Sequence, residues 1–166
     1  MNLGEDCKKA LKYCFFLLKY RARSEDEIVS RLKKKGYDED TIKEAISYLR
    51  RQGYINDEKF AETFIADSIN KGWGKLKIAF ALKKLGVKVD FDRSDFAGNE
   101  IYRERLRNLI KIKSVFYGKK SKQIDTCRRR KDIFSKLMSF LLSRGFEYEE
   151  INAEIEAMGM DVSECE

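Results

Sequence analysis

The apolar residues of this chain recur every three or four positions, which is the spacing of one face of a helix. Residues 8–20 show the pattern first, with Ala10, Cys14 and Leu17 on one stripe. Phe15 widens that stripe, which indicates a helix buried against two neighbours. No stretch shows the regular alternation and closely spaced turns that a sheet protein would need. The pattern therefore predicts an all-helical protein.

Polar residues predict where the next two helices begin and end. Ser24 has a glutamate three residues later, which is the pattern of a capping box, so a second helix should start there. That helix should end at Gly36. Asp38 is the expected N-cap of a third helix, which should end near Gly53. Residues 8–55 therefore form one predicted three-helix unit.

The turn at Gly36 recurs at Gly86 and Gly145. Each glycine follows a leucine by four residues and is itself followed by an apolar residue. The flanking apolar positions also agree, except that Asp92 stands where the other two copies have isoleucine. Glycine accepts the left-handed conformation that ends a helix, and the next residue can pack back on it. The recurrence predicts three copies of one unit, over residues 8–55, 56–99 and 100–160.

The second and third units each depart from the first in one place. In the second unit, Asn56 or Asp57 should cap the first helix and Lys75 should begin the second helix. The third helix of this unit, over 89–98, should be short or distorted. The third unit, 100–160, contains a long basic insertion over 118–131, discussed with the charges below. The predicted fold is all-α, with three tandem three-helix repeats in an elongated, curved modular array.

Two residues of the third unit should mark helix limits. Gly118 is a candidate end for the helix that starts near Glu100, and Asp132 is the expected cap of the next one. A last helix should cover about 147–158.

The composition narrows the function to binding rather than chemistry. The chain of 166 residues has no histidine, which removes the commonest general base, and its four cysteines lack zinc-site spacing. We therefore expect no enzyme, metal or cofactor. There is no signal peptide and no apolar run long enough to span a bilayer, so a cytoplasmic protein with reduced thiols is expected.

A net charge of +7 favours an anionic partner, such as nucleic acid or an acidic protein surface, although solubility alone could explain it. The candidate partner-binding residues lie at helix ends or in the basic insertion. They are Lys33, Lys34, Lys35, Arg50, Arg51, Lys83, Lys84, Lys119, Lys120, Lys122, Arg128, Arg129, Arg130, Lys131 and Arg144. Stacked repeats could align the helix ends into one positive edge. The alternatives are compensation of helix dipoles and a solvated linker.

Several stretches together resemble one protein family. They are RSEDEI at 23–28, LKKKGY at 32–37, GYINDEKFA at 53–61, GWG at 72–74 with the apolar positions up to Val87, and LLSRGF at 141–146. In this order they resemble the bacterial RecX family, which regulates the RecA recombinase. The resemblance implies a curved chain of three three-helix repeats. It also implies docking in the groove of the RecA–single-stranded DNA filament, with lower filament growth, ATPase and strand exchange.

Two other function classes stay open on the residues alone. Three-helix units with short turns also suit a helix-turn-helix-like regulator that binds duplex DNA by itself. A helical adaptor for some other protein is the third possibility. The chain departs from the family pattern over 89–99 and after Gly118. A monomer is expected, without membrane association and with at most weak direct DNA binding.

Overall fold

The structure is a computed structural model that describes residues 4–89, 99–120 and 126–160. Helices account for all of the regular structure in these ranges, which confirms the predicted all-helical class. The helices are α1 (Glu5–Tyr20), α2 (Glu25–Lys34), α3 (Glu39–Arg51), α4 (Asp57–Asn70), α5 (Lys75–Lys84), α6 (Glu100–Lys120), α7 (Thr126–Ser143) and α8 (Tyr148–Ala157).

The predicted N-caps of the first half of the chain are confirmed. Ser24 forms a full capping box with Glu27 at the start of α2, and the Asp38 carboxylate accepts from the backbone N–H of Thr41 at 2.8 Å. Asn56 caps α4, because its side-chain oxygen accepts from the N–H three residues later at 2.9 Å. Each cap satisfies an N–H group that the helix itself leaves unpaired.

The repeated glycine turns form as the sequence predicts. Gly36, Gly86 and Gly145 have φ values of +86°, +74° and +87°. In each turn the N–H of the residue after glycine donates to the carbonyl of the preceding repeated leucine, at 3.0–3.3 Å. A second bond runs from the glycine N–H to the carbonyl three residues before it, which completes a Schellman motif.

Three helix limits differ from the predictions. The first helix begins at Glu5 rather than residue 8, and α6 continues through Gly118 to Lys120. A glycine inside a helix costs only about 1 kcal/mol, which helix packing can offset. Asp132 does not cap α7, which begins at Thr126; instead it lies inside the helix and accepts from Lys136 at 2.7 Å. The predicted short helix over 89–98 lies, apart from Val89, outside the described residues.

The chain divides into two compact units. Unit 1 comprises residues 1–64 and Ala81–Val89, and unit 2 comprises Ile65–Phe80 and residues 90–166, so the division falls within α4 and α5. The repeat boundaries at 8–55, 56–99 and 100–160 stay predictions.

Unit 1 has one continuous apolar core, in which α3 packs against both α1 and α2. Its buried residues are Cys7, Ala10, Leu11, Cys14, Ile28, Leu32, Ile42, Ala45, Ile46, Leu49 and Ile55. The spacing of these residues on each helix matches the predicted stripes. Each fully buried large aliphatic side chain contributes about 1.5–3 kcal/mol relative to exposure, so this cluster stabilises the three-helix arrangement.

Unit 2 is organised around α6, which packs against α7 and α8. Tyr102 is buried beside Phe146, with ring centroids 5.5 Å apart. Its hydroxyl accepts from the N–H of Lys75 and donates to Glu150, both at 3.1 Å. A buried hydroxyl needs such partners, so this residue ties the starts of α5 and α8 to α6.

Candidate partner-binding surface

The densest group of exposed cations lies where α6 ends and α7 begins. We call it the basic end, and within the described residues it consists of Lys119, Lys120, Arg128, Arg129, Arg130 and Lys131. The Arg129 guanidinium donates to the carbonyl of Gly118 at 2.6 Å, which brings the two helix ends together. Lys122 lies outside the described residues. The described residues of this segment therefore lie in the ends of two helices rather than in the solvated linker that was the alternative interpretation.

The helix dipole explains only two of the six cations of the basic end. Lys119 and Lys120 lie in the last turn of α6, where positive charge is favourable. The cations of α7 lie near its start, where the dipole is also positive, and its first turn has no acidic residue. Positive charge there costs a few tenths of a kcal/mol or more per residue. An anionic partner would offset that repulsion.

Lysines beside the basic end form cation–π contacts with aromatic rings. The Lys120 ammonium lies 4.4 Å from the centroid of the Phe116 ring, and Lys113 lies 5.0 Å from the same ring and 4.6 Å from that of Phe140. Cation–π contacts of this kind hold a charge in place without neutralising it. The end of α6 thus presents positive charge with an ordered position.

The helix ends of unit 1 do not form one positive edge. The Ser24 hydroxyl donates to the carbonyl of Leu85 at 2.7 Å, so the end of α5 lies at the start of α2. Lys84 consequently lines a cleft with the acidic first turn of α2. Lys33, Lys34 and Lys35 lie at the other end of that helix, about 15 Å away by helical rise. The predicted alignment of these two ends is therefore wrong.

Several other candidate residues have partners within the chain. Arg50 forms two 2.7 Å hydrogen bonds with the Glu25 carboxylate. Arg51 lines a second cleft of mixed charge, together with Arg50 and Glu25. Arg144 donates to the carbonyl of Lys71 at 3.3 Å and lies 5.3 Å from the Phe140 ring. These contacts give Arg50 and Arg144 structural roles, which weakens them as binding residues.

The ionisable groups indicate no reactive centre. Burial raises the pKa of the Cys7 and Cys14 thiols to about 11, with smaller contributions from Glu44 and from Cys7 respectively. Thiols with such values stay protonated and unreactive near neutral pH. Among the described residues, no group of acidic, histidine or cysteine side chains could hold a metal ion. Within the same ranges no helix has both the length and the apolar character to cross a membrane.

One buried ion-pair cluster was not predicted. Glu154 is buried in α8 and accepts from Arg103 at 2.7 Å and Arg107 at 2.5 Å. Burial alone would raise the pKa of this carboxyl, but the hydrogen bonds from the two arginines outweigh it and lower the pKa. Two arginines four residues apart on α6 were the available signal, because they lie on one helix face.

The outer face of α1 was also misjudged. Phe15 is 37% exposed and Phe16 is 55% exposed, so α1 is not buried against two neighbours as predicted. Tyr20 is 71% exposed. These rings are the main exposed apolar feature of unit 1.

Comparison with known proteins identifies related sequences for most of the chain. The family description "RecX, first three-helix domain" matches residues 10–49, and "RecX, second three-helix domain" matches residues 56–90. A Regulatory protein RecX from Clostridium perfringens strain 13 is 34% identical over 132 residues, which cover 79% of this chain and 59% of that protein. One from Bacillus velezensis is 33% identical over 160 residues, which cover 94% of this chain and 57% of that protein.

The fold has solved counterparts. The crystal structure of RecX from Lactobacillus salivarius matches 95% of this chain and 99% of that one, with a TM-score of 0.78 and 22% identity. A second RecX crystal structure matches 95% of this chain and 74% of the other, with a TM-score of 0.71. These likenesses support the tandem arrangement of three-helix domains.

The fold and the two matched domains define a helical-repeat protein built from tandem three-helix domains. More narrowly, the chain belongs to the RecX family. It spans a little under three fifths of the length of the Clostridium perfringens relatives that it matches.

Proposed function

We propose that this protein is a non-enzymatic cytoplasmic regulator that binds the RecA–single-stranded DNA filament and inhibits its growth, ATPase and strand exchange. The observation that carries the proposal is the match of two successive RecX domains over residues 10–49 and 56–90. A monomer with several helical repeats presents separate surfaces to successive subunits of a filament. Binding alone can then oppose subunit addition.

The basic end supports the choice of an anionic partner. Its exposed cations come from two helices, and those of α7 lie where the helix dipole disfavours them. A DNA backbone or an acidic protein surface would supply the missing negative charge. Lysines that contact phosphate also release condensed counterions, which strengthens binding at low salt.

The proposal is tested by RecA ATPase turnover on single-stranded DNA with increasing amounts of this protein. We expect turnover to fall as the protein is added. Unchanged turnover at several-fold excess over RecA would contradict the proposal. Strand exchange between a circular single strand and a linear duplex, followed on gels, gives a second readout.

The contribution of the basic end is tested by a charge-reversal pair. The variant K119E/K131E should weaken inhibition about tenfold or more, since it removes two cations and adds two anions at the surface. The matched control is K43E/K59E, which makes the same charge change at exposed lysines of α3 and α4. Equal effects of the two variants would show that only net charge matters and would exclude a specific role for the basic end.

The helix-turn-helix-like alternative is separated from filament regulation by duplex binding. It predicts tight, sequence-selective binding of duplex DNA by the protein alone. We expect weak, unselective binding that falls steeply with salt, and RecA inhibition that does not depend on duplex sequence. A gel-shift series over several salt concentrations, with and without RecA, distinguishes them.

A further inference from the structure

The exposed large apolar side chains of unit 1 are all aromatic within the residues that the structure describes. They are Phe15 (37% exposed), Phe16 (55%), Tyr20 (71%) and Tyr54 (54%), and we call them the aromatic face. Unit 2 differs, since five of the eight corresponding residues there are aliphatic, namely Leu76, Ile101, Ile112, Val115 and Leu142. Aromatic side chains are enriched at protein–protein interfaces as well as in sites for single strands, so the rings mark a binding surface. The charges around the rings then indicate which ligand this surface binds.

The rings of the aromatic face are ordered in two pairs. Phe16 and Tyr20 lie one helical turn apart on α1, with centroids 5.1 Å apart and planes at 74°. Phe15 meets Tyr54 with centroids 4.8 Å apart and planes at 76°. An edge-to-face pair fixes both rings but leaves ring faces open to solvent. Such a pair is a preformed stacking platform, because little side-chain freedom remains to be lost on binding.

Lysines alternate with these rings along the outer side of α1. Lys8, Lys12 and Lys19 are exposed, and none forms an ion pair with an acidic residue in the described part of the chain. The acidic residues of α1 are confined to its first turn, at Glu5 and Asp6. The last two turns of α1 thus combine open ring faces with positive charge that no carboxylate in this helix neutralises.

We propose that the aromatic face binds single-stranded nucleic acid, with Phe16 and Tyr20 stacking on bases and Lys12 and Lys19 contacting phosphates. Aromatic rings interleaved with cations are how proteins hold single strands without reading their sequence. A duplex would not fit, since its bases are already stacked and their faces are covered. The site differs from the basic end, where the exposed Phe116 ring has Lys120 over it at 4.4 Å, and it does not depend on RecA.

The experiment measures binding of this protein alone to two fluorescent probes by anisotropy. One probe is oligothymidylate and the other is an abasic strand of the same length, which keeps the phosphates but has no bases. The wild type should bind oligothymidylate about tenfold more tightly than the abasic strand, as expected for at least one stacked base. The variant F16L/Y20L keeps apolar side chains but loses the rings, so it should bind the two probes nearly equally.

The matched control is Y148L, which removes a tyrosine of similar exposure (52%) beside Glu149 and Glu150 at the start of α8. It should retain the wild-type preference for bases, and circular dichroism melting should show both variants folded. Equal binding of the two probes by the wild type would overturn the proposal. So would an unchanged preference in F16L/Y20L. If that variant lost RecA inhibition but kept its base preference, the face would belong to a protein partner instead. Because these assays contain no RecA, their failure would leave the filament proposal intact.

Discussion

The three repeated glycines should differ in their sensitivity to alanine, although their local sequences are alike. A Cβ at Gly36 would meet nothing within 4 Å. At Gly86 it would lie 1.9 Å from an oxygen of the Asp26 carboxylate, and at Gly145 it would lie 2.4 Å from the backbone nitrogen of Lys77. The Asp26 carboxylate can rotate away, although its Cβ, 2.4 Å from the added carbon, moves only with the backbone of α2; at Gly145 the added carbon meets the backbone of α5 directly. The expected order of destabilisation is therefore Gly36→Ala, then Gly86→Ala, then Gly145→Ala.

The magnitudes follow from what each substitution must displace. All three residues have positive φ, which costs an alanine about 1 kcal/mol in each case. Gly145→Ala must also separate the end of α7 from α5, where Gly74 donates to the Arg144 carbonyl at 2.9 Å and Leu76 to that of Gly145 at 3.0 Å. Losing those two bonds costs about 1 kcal/mol each and overpacking adds about 1–3 kcal/mol, so with the cost of positive φ about 4–6 kcal/mol is expected in total.

The assay is guanidinium unfolding of the four proteins, followed by far-ultraviolet circular dichroism and by the fluorescence of Trp73. Gly74→Ala isolates the effect of space from that of φ, because Gly74 has no positive φ but its Cβ would lie 2.2 Å from the backbone of Gly145. It should approach the cost of Gly145→Ala. If Gly145→Ala and Gly36→Ala were equally stable, the close approach of the two backbones would not constrain the fold.

Three further predictions concern buried polar groups. Ser24→Ala removes both a helix cap and the donor to the Leu85 carbonyl, so the free energy of unfolding should fall by about 1–2 kcal/mol. Chemical unfolding should show this as a lower midpoint. The pKa of Glu154 is lowered in the folded protein, so its ionised form stabilises the fold at pH values above the pKa of a glutamate in the unfolded chain, which is about 4.3. Urea unfolding should therefore show Glu154→Gln less stable than the wild type at neutral pH, with the difference disappearing as pH falls through the acidic range. Because the pKa of Cys7 and of Cys14 is about 11, iodoacetamide at pH 8 should modify them only after unfolding, as peptide mapping would show.

Local signals predicted the helix ends of the first half well. Ser24 and Asp38 each act through a side-chain bond to the N–H group three residues later, so the sequence contains both partners. The repeated turn at Gly36 is equally local, because one residue supplies the φ that the turn needs. Such features do not depend on which distant surface the helix meets.

The start of α7 could not be predicted from local rules. Thr126 begins a helix whose first turns are basic. The helix dipole favours acidic residues at a helix start, which is why Asp132 was the predicted N-cap. Packing of α7 along α6 over a long length outweighs that local cost. In the same way, the width of the apolar stripe on α1 suggested burial, but a helical pattern cannot tell a covered ring from an exposed one.

Helix dipoles separate the basic residues that need a further explanation from those that do not. The basic residues in the last turns of α2, α3, α5 and α6 all lie where the dipole favours them. Among the described helices that carry the candidate cations, the starts of α5 and α7 oppose it, since both have basic residues and no acidic residue in their first turn, and of these two only α7 has candidate cations there. The exposed rings of α1 also need a further explanation, because burying these apolar side chains would have stabilised the fold. The basic end suits phosphates, whose attraction salt screens, and the aromatic face suits bases, whose stacking salt affects little. The two features therefore suit different parts of one kind of ligand, a single-stranded nucleic acid.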